Sequence, residues 1–328
     1  MSPASVLAAE LGRAVGLLHK RDIAAVATAL GLGAGSDIPV GDDCAAIPDG
    51  DGYLLLAGEG FMGGFVARDP WFAGYCAVMV NLSDIAAMGG RPSAVIDILW
   101  AESLAEAQPL LAGLKAGAQI YGVPLVGGHC NLRSPTAQLG AAVLGRAQRL
   151  ISSFDARTGD QLVFAVDLRG RYREPDAYWD ASTGRPPERL RGDLAILPSL
   201  AEAGLVRAGK DISMAGFVGT TLMLLECSGV GARLDVAAIP RPAGADLTRW
   251  LQAFPSYGFV LSVPPQDTAA VIDRFAARGI AAAVAGEVTT RRELRLRLEG
   301  SDALFWDLDA GPLIGCGPSP SSKENAHA

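Results

Sequence analysis

One apolar helix constrains the fold of this chain more than any other predicted element. Asp69 and Pro70 are typical of a helix start, because Asp is a good N-cap and Pro fits the first turn. The residues that follow are nearly all apolar as far as Val80, and Gly89-Gly90 comes shortly afterwards. The pattern predicts a helix over 71–88 with a largely apolar surface.

Two polar side chains interrupt this helix on one face. Asn81 and Asp84 are three residues apart, a spacing that places them on the same side of a helix. A carboxylate beside an apolar surface costs free energy unless it is paired, hydrogen-bonded or bound to a metal ion. Asp84 is therefore a candidate functional residue. The alternative is a solvated helix residue or a cap for a neighbouring backbone.

Helices and strands alternate over the first 150 residues. Spaced apolar positions predict a helix over 4–30, and a glycine-rich stretch follows at 31–35. The other elements predicted in this part are the strands 53–57, 94–100 and 137–145 and the helix 104–121. The alternation indicates an α/β or α+β domain over residues 1–150.

The composition changes after residue 150, which predicts a second domain over residues 151–316. Its predicted elements are the strands 161–167, 258–263 and 294–298 and the helices 195–203, 214–227 and 266–278. Residues 169–193 are polar and rich in Arg and Pro, which predicts a surface loop or a mobile segment. Residues 317–328 are rich in Ser and Pro and are predicted to form a disordered tail.

Charge and composition exclude several functional classes. The 328 residues carry a net charge of −7, which argues against a nucleic-acid-binding protein. No apolar run approaches the roughly 18 residues of a membrane span, and we find no signal-peptide pattern. The five cysteines form no CxxC pair and only three histidines occur. We therefore expect a cytoplasmic protein with reduced thiols and without a zinc or multi-histidine site.

Acidic residues also lie beside glycines in the first 60 residues. Asp42 and Asp43 follow Gly41 in a short turn, and Glu59 lies between two glycines. Mg²⁺ prefers carboxylate oxygens together with substrate phosphates, so these acids are candidate magnesium ligands. The alternative for the adjacent pair is an ordinary polar turn.

Glycine-containing turns supply candidate phosphate contacts. Gly33 and Gly35 lie in a stretch whose backbone N–H groups are suited to approach phosphates. The chain has no GxxxxGK[ST] sequence, which excludes a Walker-type loop. His129 follows Gly127-Gly128 after a predicted short strand, where it is either a ligand contact or a structural histidine.

Four segments, in this order, together resemble one protein superfamily. They are Gly41–Ala46 (GDDCAA), Val80–Gly89 (VNLSDIAAMG), Val126–Asn131 (VGGHCN), and Lys210–Ser213 (KDIS) with Ser228–Ala232 (SGVGA) after it. The superfamily contains aminoimidazole ribonucleotide (AIR) synthetase, formylglycinamidine ribonucleotide synthetase, thiamine-monophosphate kinase, selenophosphate synthetase and a hydrogenase maturation factor. Within it the chain looks most like the AIR synthase-related branch, with thiamine-monophosphate kinase as the nearest characterised relative.

The resemblance implies a fold, a partner and a cofactor. The fold is α/β (α+β) with two PurM-like domains, and the amino-terminal sheets of two copies pair into a barrel in a homodimer. ATP lies between the domains, its phosphates held through Mg²⁺ by the acids and covered by the glycine-rich segment. A small-molecule substrate is implied, and neither a membrane nor a nucleic acid is expected as a partner.

The resemblance also gives expected roles to individual residues. For Asp211 and Ser213 the alternative interpretation is that they are ordinary N-cap residues of the next helix. Metal binding is expected of Asp42, Asp43, Glu59, Asp84 and Asp211. Contacts with the nucleotide are expected of Gly33, Gly35, Asn81, Gly127, Gly128, His129, Arg149 and Ser213. Catalytic roles are expected of Asp84, Asp211 and Arg149.

Three departures from the kinase pattern bear on the reaction. His129 replaces an aspartate after the two glycines, Met214 replaces a metal carboxylate, and Glu59 lies near a strand end where the kinase has an aspartate. Fewer acids imply fewer magnesium ions or another phosphate geometry, which argues against thiamine monophosphate as the substrate. We expect an ATP-dependent kinase or synthetase. The alternatives are a non-catalytic nucleotide-binding or scaffold protein, and a small-molecule-binding protein that uses residues 169–193.

Overall fold

The structure is a computed structural model that describes residues 1–33 and 37–317. Within these residues the helices are α1 (Pro3–Leu11), α2 (Val15–Lys20), α3 (Asp22–Leu30), α4 (Gly63–Arg68), α5 (Pro70–Ala87), α6 (Leu104–Tyr121), α7 (Pro187–Leu194), α8 (Ile196–Ala203), α9 (Gly216–Ser228), α10 (Leu247–Leu251) and α11 (Thr268–Ala276). The strands are β1 (Ala45–Asp49), β2 (Gly52–Phe61), β3 (Arg91–Trp100), β4 (Leu125–Asn131), β5 (Gln138–Ala147), β6 (Gln161–Val166), β7 (Arg171–Tyr172), β8 (Tyr178–Asp180), β9 (Ala208–Asp211), β10 (Gly231–Asp235), β11 (Phe254–Pro255), β12 (Gly258–Val263), β13 (Ala281–Thr289), β14 (Glu293–Leu298) and β15 (Ser301–Asp307). Gly35 and residues 318–328 of the predicted tail lie outside the described residues.

The chain divides into two compact units, each with its own large sheet. Residues 43–150 and 184–202 form the five-stranded unit. Residues 1–42, 151–183 and the described residues from 203 onward form the seven-stranded unit. The units depart from the predicted domains in two segments. Residues 1–42 join the seven-stranded unit because α1 packs on β14 and β15, and residues 184–202 join the five-stranded unit because α7 packs on α6.

The five-stranded sheet has the order β1-β2-β5-β3-β4. Only the β3–β4 pair is parallel, and α6 makes the crossover between those two strands. α5 packs on β2, β5 and β3, and every residue of α5 from Phe72 to Ala87 is buried. The side chain of Asp69 accepts a hydrogen bond from the Phe72 N–H at 3.2 Å. The predicted apolar helix and its N-cap are therefore confirmed.

The contact between α5 and α6 is so close that it requires two glycines. A Cβ atom on Gly74 would lie 2.1 Å from the carbonyl oxygen of Leu110. A Cβ atom on Gly113 would lie 1.9 Å from the carbonyl oxygen of Trp71. Carbon atoms in favourable contact lie about 3.5–4.0 Å from their neighbours, so neither position has room for a side chain.

The seven-stranded sheet has the order β15-β14-β10-β13-β6-β12-β9. β6 and β12 are buried along almost their whole length, which agrees with the predominance of apolar residues in their sequences. Its main apolar core combines side chains of α1, α9, β10 and β14. A separate helix, α11, packs on β13 and β6.

A buried carboxylate fastens the last described segment of the chain to α9. One oxygen of Glu226 accepts hydrogen bonds from the N–H groups of Leu313 and Ile314, at 2.7 and 3.0 Å. The other oxygen accepts one from the Gly315 N–H at 2.6 Å. Three backbone donors thereby satisfy a carboxylate that is only 1% exposed.

Two predictions of secondary structure are wrong. The helix predicted over 4–30 is divided into α1, α2 and α3, whereas a straight helix of that length would extend about 40 Å. The break brings Gly16 against the backbone of Met214, where an added Cβ would lie 1.9 Å from the carbonyl oxygen. The loop predicted over 169–193 contains β7, β8 and most of α7. Its arginines form ion pairs, such as Arg173 with the buried Asp180 at 3.1 Å, so polar composition there does not signal an open loop.

All five cysteines are free, which agrees with the absence of a CxxC pair. In the described part of the chain, no helix combines the length and the apolar character needed to cross a membrane.

Replacement of Gly113 by alanine tests the contact between α5 and α6. Gly113→Ala should lower the free energy of unfolding by about 2 kcal/mol, because the methyl group overlaps a backbone atom that has little freedom to move. Urea denaturation followed by circular dichroism measures the change. Gly64→Ala in α4 is the matched control. An added Cβ meets nothing within 4 Å there, so stability should stay constant or rise by up to about 1 kcal/mol. Equal effects of the two substitutions would contradict the close contact.

Candidate functional site

The polar pair predicted on α5 is buried in the structure. Asp84 is 6% exposed and Asn81 is fully buried, so the interpretation of Asp84 as a solvated helix residue is wrong. The Asn81 amide nitrogen donates to the carbonyl oxygen of Ala77 at 2.8 Å. Its amide oxygen has no hydrogen-bond partner among the described residues. A buried acceptor without a donor suits a ligand or cation that supplies the missing contact.

The adjacent acids Asp42 and Asp43 have different surroundings. Asp42 accepts hydrogen bonds from the Ser152 hydroxyl at 2.7 Å and from the Ser153 N–H at 2.5 Å. Burial raises the pKa of Asp42 above its ordinary value, while the nearby charge of Lys210 acts in the opposite direction. Metal binding by Asp42 would compete with both hydrogen bonds. Asp43 is half-buried and begins the five-stranded unit, two residues before β1.

A buried lysine supports the turn that contains Asp42. Lys210 is 5% exposed, and its ammonium group donates to the carbonyl oxygen of Gly41 at 3.0 Å and to the Ser153 hydroxyl at 3.3 Å. Gly41 has a φ of 129°, and a Cβ there would lie 2.9 Å from the sulfur of Cys227. The glycine before the two acids is therefore required by both its backbone conformation and its close neighbours.

A row of residues crosses the five-stranded sheet at the level of Ala141. Glu59 and Asp97 are both paired with Ala141, and Asp97 is also paired with Gly128. Opposed residues point to one face, so the Glu59 and Asp97 carboxylates lie on the face of Ala141, about 10 Å apart at the backbone. Burial raises the pKa of Asp97. The sequence interpretation did not include Asp97, although an isolated carboxylate in an apolar strand is the same signal that identified Asp84.

The Gly127-Gly128-His129 turn predicted from the sequence is part of β4, at the edge of the sheet. A Cβ on Gly128 would lie 2.0 Å from the carbonyl oxygen of Asp97, so β4 approaches β3 too closely for a side chain. The His129 ring lies 5.7 Å from the Trp100 ring, and His129 is exposed. The outer edge of β4 exposes backbone groups, and Gly127 leaves room for a ligand because an added Cβ there meets nothing within 4 Å.

Arg149 is not brought to these glycines. It lies two residues beyond β5, past the end where Ala147 pairs with Tyr53. Gly128 lies level with Ala141, six residues back along the same strand, which is a distance of about 20 Å. Arg149 is exposed at that opposite end of the sheet.

The candidates in the seven-stranded unit follow one strand. Asp211 ends β9 and is 5% exposed, and Ser213 comes two residues later. α9 begins only at Gly216, with Ala215 at the N-cap position and no capping side chain, so the N-cap interpretation of Asp211 and Ser213 is wrong. Gly33 lies near the start of the chain, three residues after α3, and is exposed.

No group of three or more His, Cys, Asp or Glu side chains suited to hold a metal ion occurs within residues 1–33 and 37–317. Mg²⁺ commonly needs only one or two protein carboxylates, because waters and substrate phosphates complete its octahedral shell. The oxygen donors Asp84 and Asn81 on one buried face of α5 are the chemistry that such an ion accepts.

These features define a protein of two α/β units with buried carboxylates on a central helix and at a strand end. Family profiles identify it further. The profile for the N-terminal domain of AIR synthase related protein matches residues 41–147, and the profile for its C-terminal domain matches residues 180–299. The chain therefore belongs to the AIR synthase related family, as the sequence motifs predicted.

Relatives cover most of the chain. An uncharacterized protein of Synechocystis sp. is 49% identical over 93% of this chain and 96% of its own length. Thiamine-monophosphate kinase of Synechococcus elongatus is 28% identical over 83% of this chain and 90% of its own length. Selenide, water dikinase of Bordetella bronchiseptica is 29% identical over 71% of this chain and 75% of its own length.

Solved structures share the fold. Thermotoga maritima PurL complexed with ATP superposes with a TM-score of 0.69 at 18% identity, over 86% of this chain and 48% of that chain. This chain thus spans about half the length of that PurL. AaThiL complexed with AMPPCP and TMP superposes with a TM-score of 0.64 at 18% identity, over 86% of this chain and 95% of that one. These likenesses confirm the predicted two-domain mixed α/β fold.

The raised pKa of Asp42 predicts a pH dependence of stability. The folded state holds the Asp42 proton more tightly than the unfolded state, so this residue's contribution to the unfolding free energy falls as the pH rises through 3.8 towards the folded pKa. The stability difference between wild type and Asp42→Asn, which cannot titrate, should fall in this window and then level off. Denaturant unfolding at stepped pH from about 3 to 7 measures it. Asp155→Asn, at an exposed position, controls for the loss of one charge. A difference that rises with pH would contradict the burial of Asp42.

Proposed function

We propose that this protein is an ATP- and Mg²⁺-dependent enzyme that transfers a phosphoryl group during the conversion of a small metabolite. The observation that carries the proposal is the buried Asp84–Asn81 pair on α5, within the region matched by the family's N-terminal domain. The similarity to thiamine-monophosphate kinase over most of both chains supports it. So does the shared fold with PurL complexed with ATP, ADP and AMPPCP.

The chemistry needs little covalent help from the protein. Phosphoryl transfer depends mainly on positioning and on neutralising charge at the phosphates. In the five-stranded unit, Asp43 and Asp84 are the proposed Mg²⁺ ligands, with Glu59 as a further oxygen. In the seven-stranded unit, Asp211 is the proposed ligand and Ser213 a nucleotide contact. Bound Mg²⁺ supplies the positive charge that offsets the phosphates, and these oxygen donors suit such a hard cation.

Backbone groups of β4 and the side chain of Asn81 are proposed to position the ligand. Gly127 and Gly128 lie on an edge strand without side chains, so phosphate oxygens are able to approach their main chain directly. Asn81, held at its nitrogen by Ala77, directs its free oxygen at one fixed position. Both features hold a ligand without rearrangement of the protein, which is how positioning accelerates such a reaction.

The proposal includes two types of reaction. Relatives include both a kinase and phosphoribosylformylglycinamidine synthases, so direct phosphorylation and ATP-driven activation of an amide or carbonyl oxygen are both within this proposal. His129 and Met214 stand where the kinase motif has acids, which argues against thiamine monophosphate as the acceptor.

Asp84→Asn tests the proposed ligand. ATP turnover with Mg²⁺, measured against a panel of phosphorylated metabolites and amides, should fall at least about 100-fold, because the substitution removes the charge that holds the cation. The circular dichroism spectrum should not change, since Asn has nearly the same shape as Asp. Asp273→Asn removes one exposed carboxylate on α11 and should leave turnover unchanged.

Calorimetry of ATP binding separates the remaining outcomes. The absence of ATP binding by the wild-type protein in the presence of Mg²⁺ would overturn the proposal. ATP binding without turnover for any acceptor would favour a non-catalytic nucleotide-binding protein. Unchanged turnover in Asp84→Asn would remove Asp84 from the site while leaving the reaction class intact.

We further propose that the five-stranded unit forms a homodimer through the uncovered face of its sheet. Leu56 and Leu144 are paired across β2 and β5 and are 46% and 41% exposed, and Ile96 on β3 is 40% exposed. Their neighbours along each strand, such as Leu55 and Val143, are buried on the opposite face. An apolar sheet face exposed to water favours association, and a second copy would cover it.

Leu144→Arg tests the homodimer. Light scattering of the wild-type protein at micromolar concentration should give twice the chain mass of 33.9 kDa, and Leu144→Arg should give the single mass because a charge is buried in the interface. Leu304→Arg is the matched control, since Leu304 is 46% exposed in the seven-stranded unit. It should remain a dimer. A monomeric wild-type protein would contradict this proposal.

A further inference from the structure

Arginines gather on the face of the seven-stranded sheet that is turned away from its main core. In β10, Ala232 and Leu234 belong to that core, so Arg233 between them points to the opposite face. β14 alternates in the same way and places Arg295 and Arg297 on the face of Arg233. This part of the face is exposed or half-exposed to solvent.

Two of these arginines lie directly opposite each other. β10 and β14 are parallel, and their register pairs Arg233 with Arg295. Neighbouring strands are about 4.8 Å apart, and like charges at opposed positions destabilise a sheet. Arg295 is paired with Glu293 at 3.2 Å, and Arg233 lies opposite Glu287 of β13 on its other side. Arg233 makes no ion pair within 4.0 Å with any residue that the structure describes, and the same holds for Arg291.

The arginines line a cavity of the right size for a small ligand. Its volume is about 470 Å³, and its walls include Arg233, Arg291 and Arg295, the threonines Thr289 and Thr290, and Glu293. Three guanidinium groups thus face a single carboxylate in a protein whose net charge is −7. Guanidinium groups bind phosphate oxygens through two parallel hydrogen bonds. The Thr290 hydroxyl is a further donor, whereas the Thr289 hydroxyl already donates to the Arg291 carbonyl oxygen at 3.3 Å.

Acidic residues limit the length of an anion that fits here. Asp235 and Glu287 line an adjoining cavity of about 550 Å³, together with Arg233 and Arg297. Asp302 is paired with Arg297 across β14 and β15. These carboxylates repel an extended polyanion such as a nucleic acid, whereas a compact dianion stays within reach of the arginines.

We propose that this arginine cavity binds the phosphoryl dianion of a small molecule, either inorganic phosphate, pyrophosphate or a phosphomonoester. The site does not depend on the proposed ATP chemistry. Asp211 ends β9, which is four strands away from β10 in the same sheet, or about 19 Å. Bound anion would also offset the repulsion between the opposed residues Arg233 and Arg295.

Calorimetric titration with sodium pyrophosphate tests the site. The buffer contains EDTA and no Mg²⁺, so that the proposed Mg²⁺-dependent ATP site does not contribute. Wild-type protein should bind, and Arg233→Gln and Arg295→Gln should each weaken binding at least about 10-fold. Arg274→Gln, an exposed arginine on α11, is the matched control and should bind as the wild type does. Parallel titrations with inorganic phosphate and glycerol 3-phosphate identify which source of the dianion binds more tightly.

Thermal unfolding gives a second readout that a purely structural role would not produce. Without anion, Arg233→Gln should unfold close to the wild-type temperature, because the substitution removes both the like-charge pair with Arg295 and the opposite-charge pair with Glu287. About 10 mM phosphate should raise the unfolding temperature of the wild-type protein and leave that of Arg233→Gln unchanged.

Three results would overturn the proposal. The first is no binding of any of the three anions at millimolar concentration. The second is pyrophosphate binding that is equally strong in Arg233→Gln and in Arg274→Gln. The third is binding of a single-stranded oligonucleotide that Arg233→Gln abolishes, with no pyrophosphate binding, which would assign the face to nucleic acid.

Discussion

The five-stranded unit depends on a helix that is almost completely buried. From Phe72 to Ala87 every residue of α5 is buried, so the sheet on one side and α6 on the other must cover it completely. The cover is so close that Gly74 and Gly113 have no room for a side chain. A carboxylate in such a place is unfavourable without a partner. The burial that holds α5 in place also removes most of the Asp84 side chain from solvent. One helix therefore supplies both the core of the unit and a candidate functional residue.

Secondary structure was predictable where the apolar residues of a segment followed a single helical or strand pattern. The helix over 104–121 and the strand over 258–263 were both predicted at the bounds that the structure has. The helix predicted over 4–30 failed because its break depends on a contact between Gly16 and Met214, almost 200 residues away in sequence. The predicted loop over 169–193 failed for a related reason. The polar composition of this segment does not reveal that its charged side chains form ion pairs in the folded chain.

The candidate site was predictable where a polar residue interrupts an apolar element. Asp84 gave that signal in a long helix, and Asp97 gives the same signal in β3, where the sequence interpretation did not use it. Asp42 and Asp43 are identical neighbours, and sequence alone cannot distinguish them. The surroundings of Asp42 come from Ser152 and Ser153, which lie about 110 residues later and both donate hydrogen bonds to it. Such long-range hydrogen bonds identify Asp42 as a structural acid.

Two acids and two arginines of the seven-stranded unit have different surroundings. The Glu226 carboxylate is buried and accepts three backbone hydrogen bonds, and Asp42 is hydrogen-bonded to a backbone N–H and a hydroxyl. Arg233 is exposed and stands opposite Arg295. The chain has 35 acidic residues against 28 Lys and Arg, so a shortage of acids does not explain this pairing. Opposite charges at those two positions would stabilise the sheet. Each arginine has one carboxylate beside it, Glu287 in register with Arg233 and Glu293 paired with Arg295. The proposed anion would lie between the two guanidinium groups and offset the repulsion that remains between them.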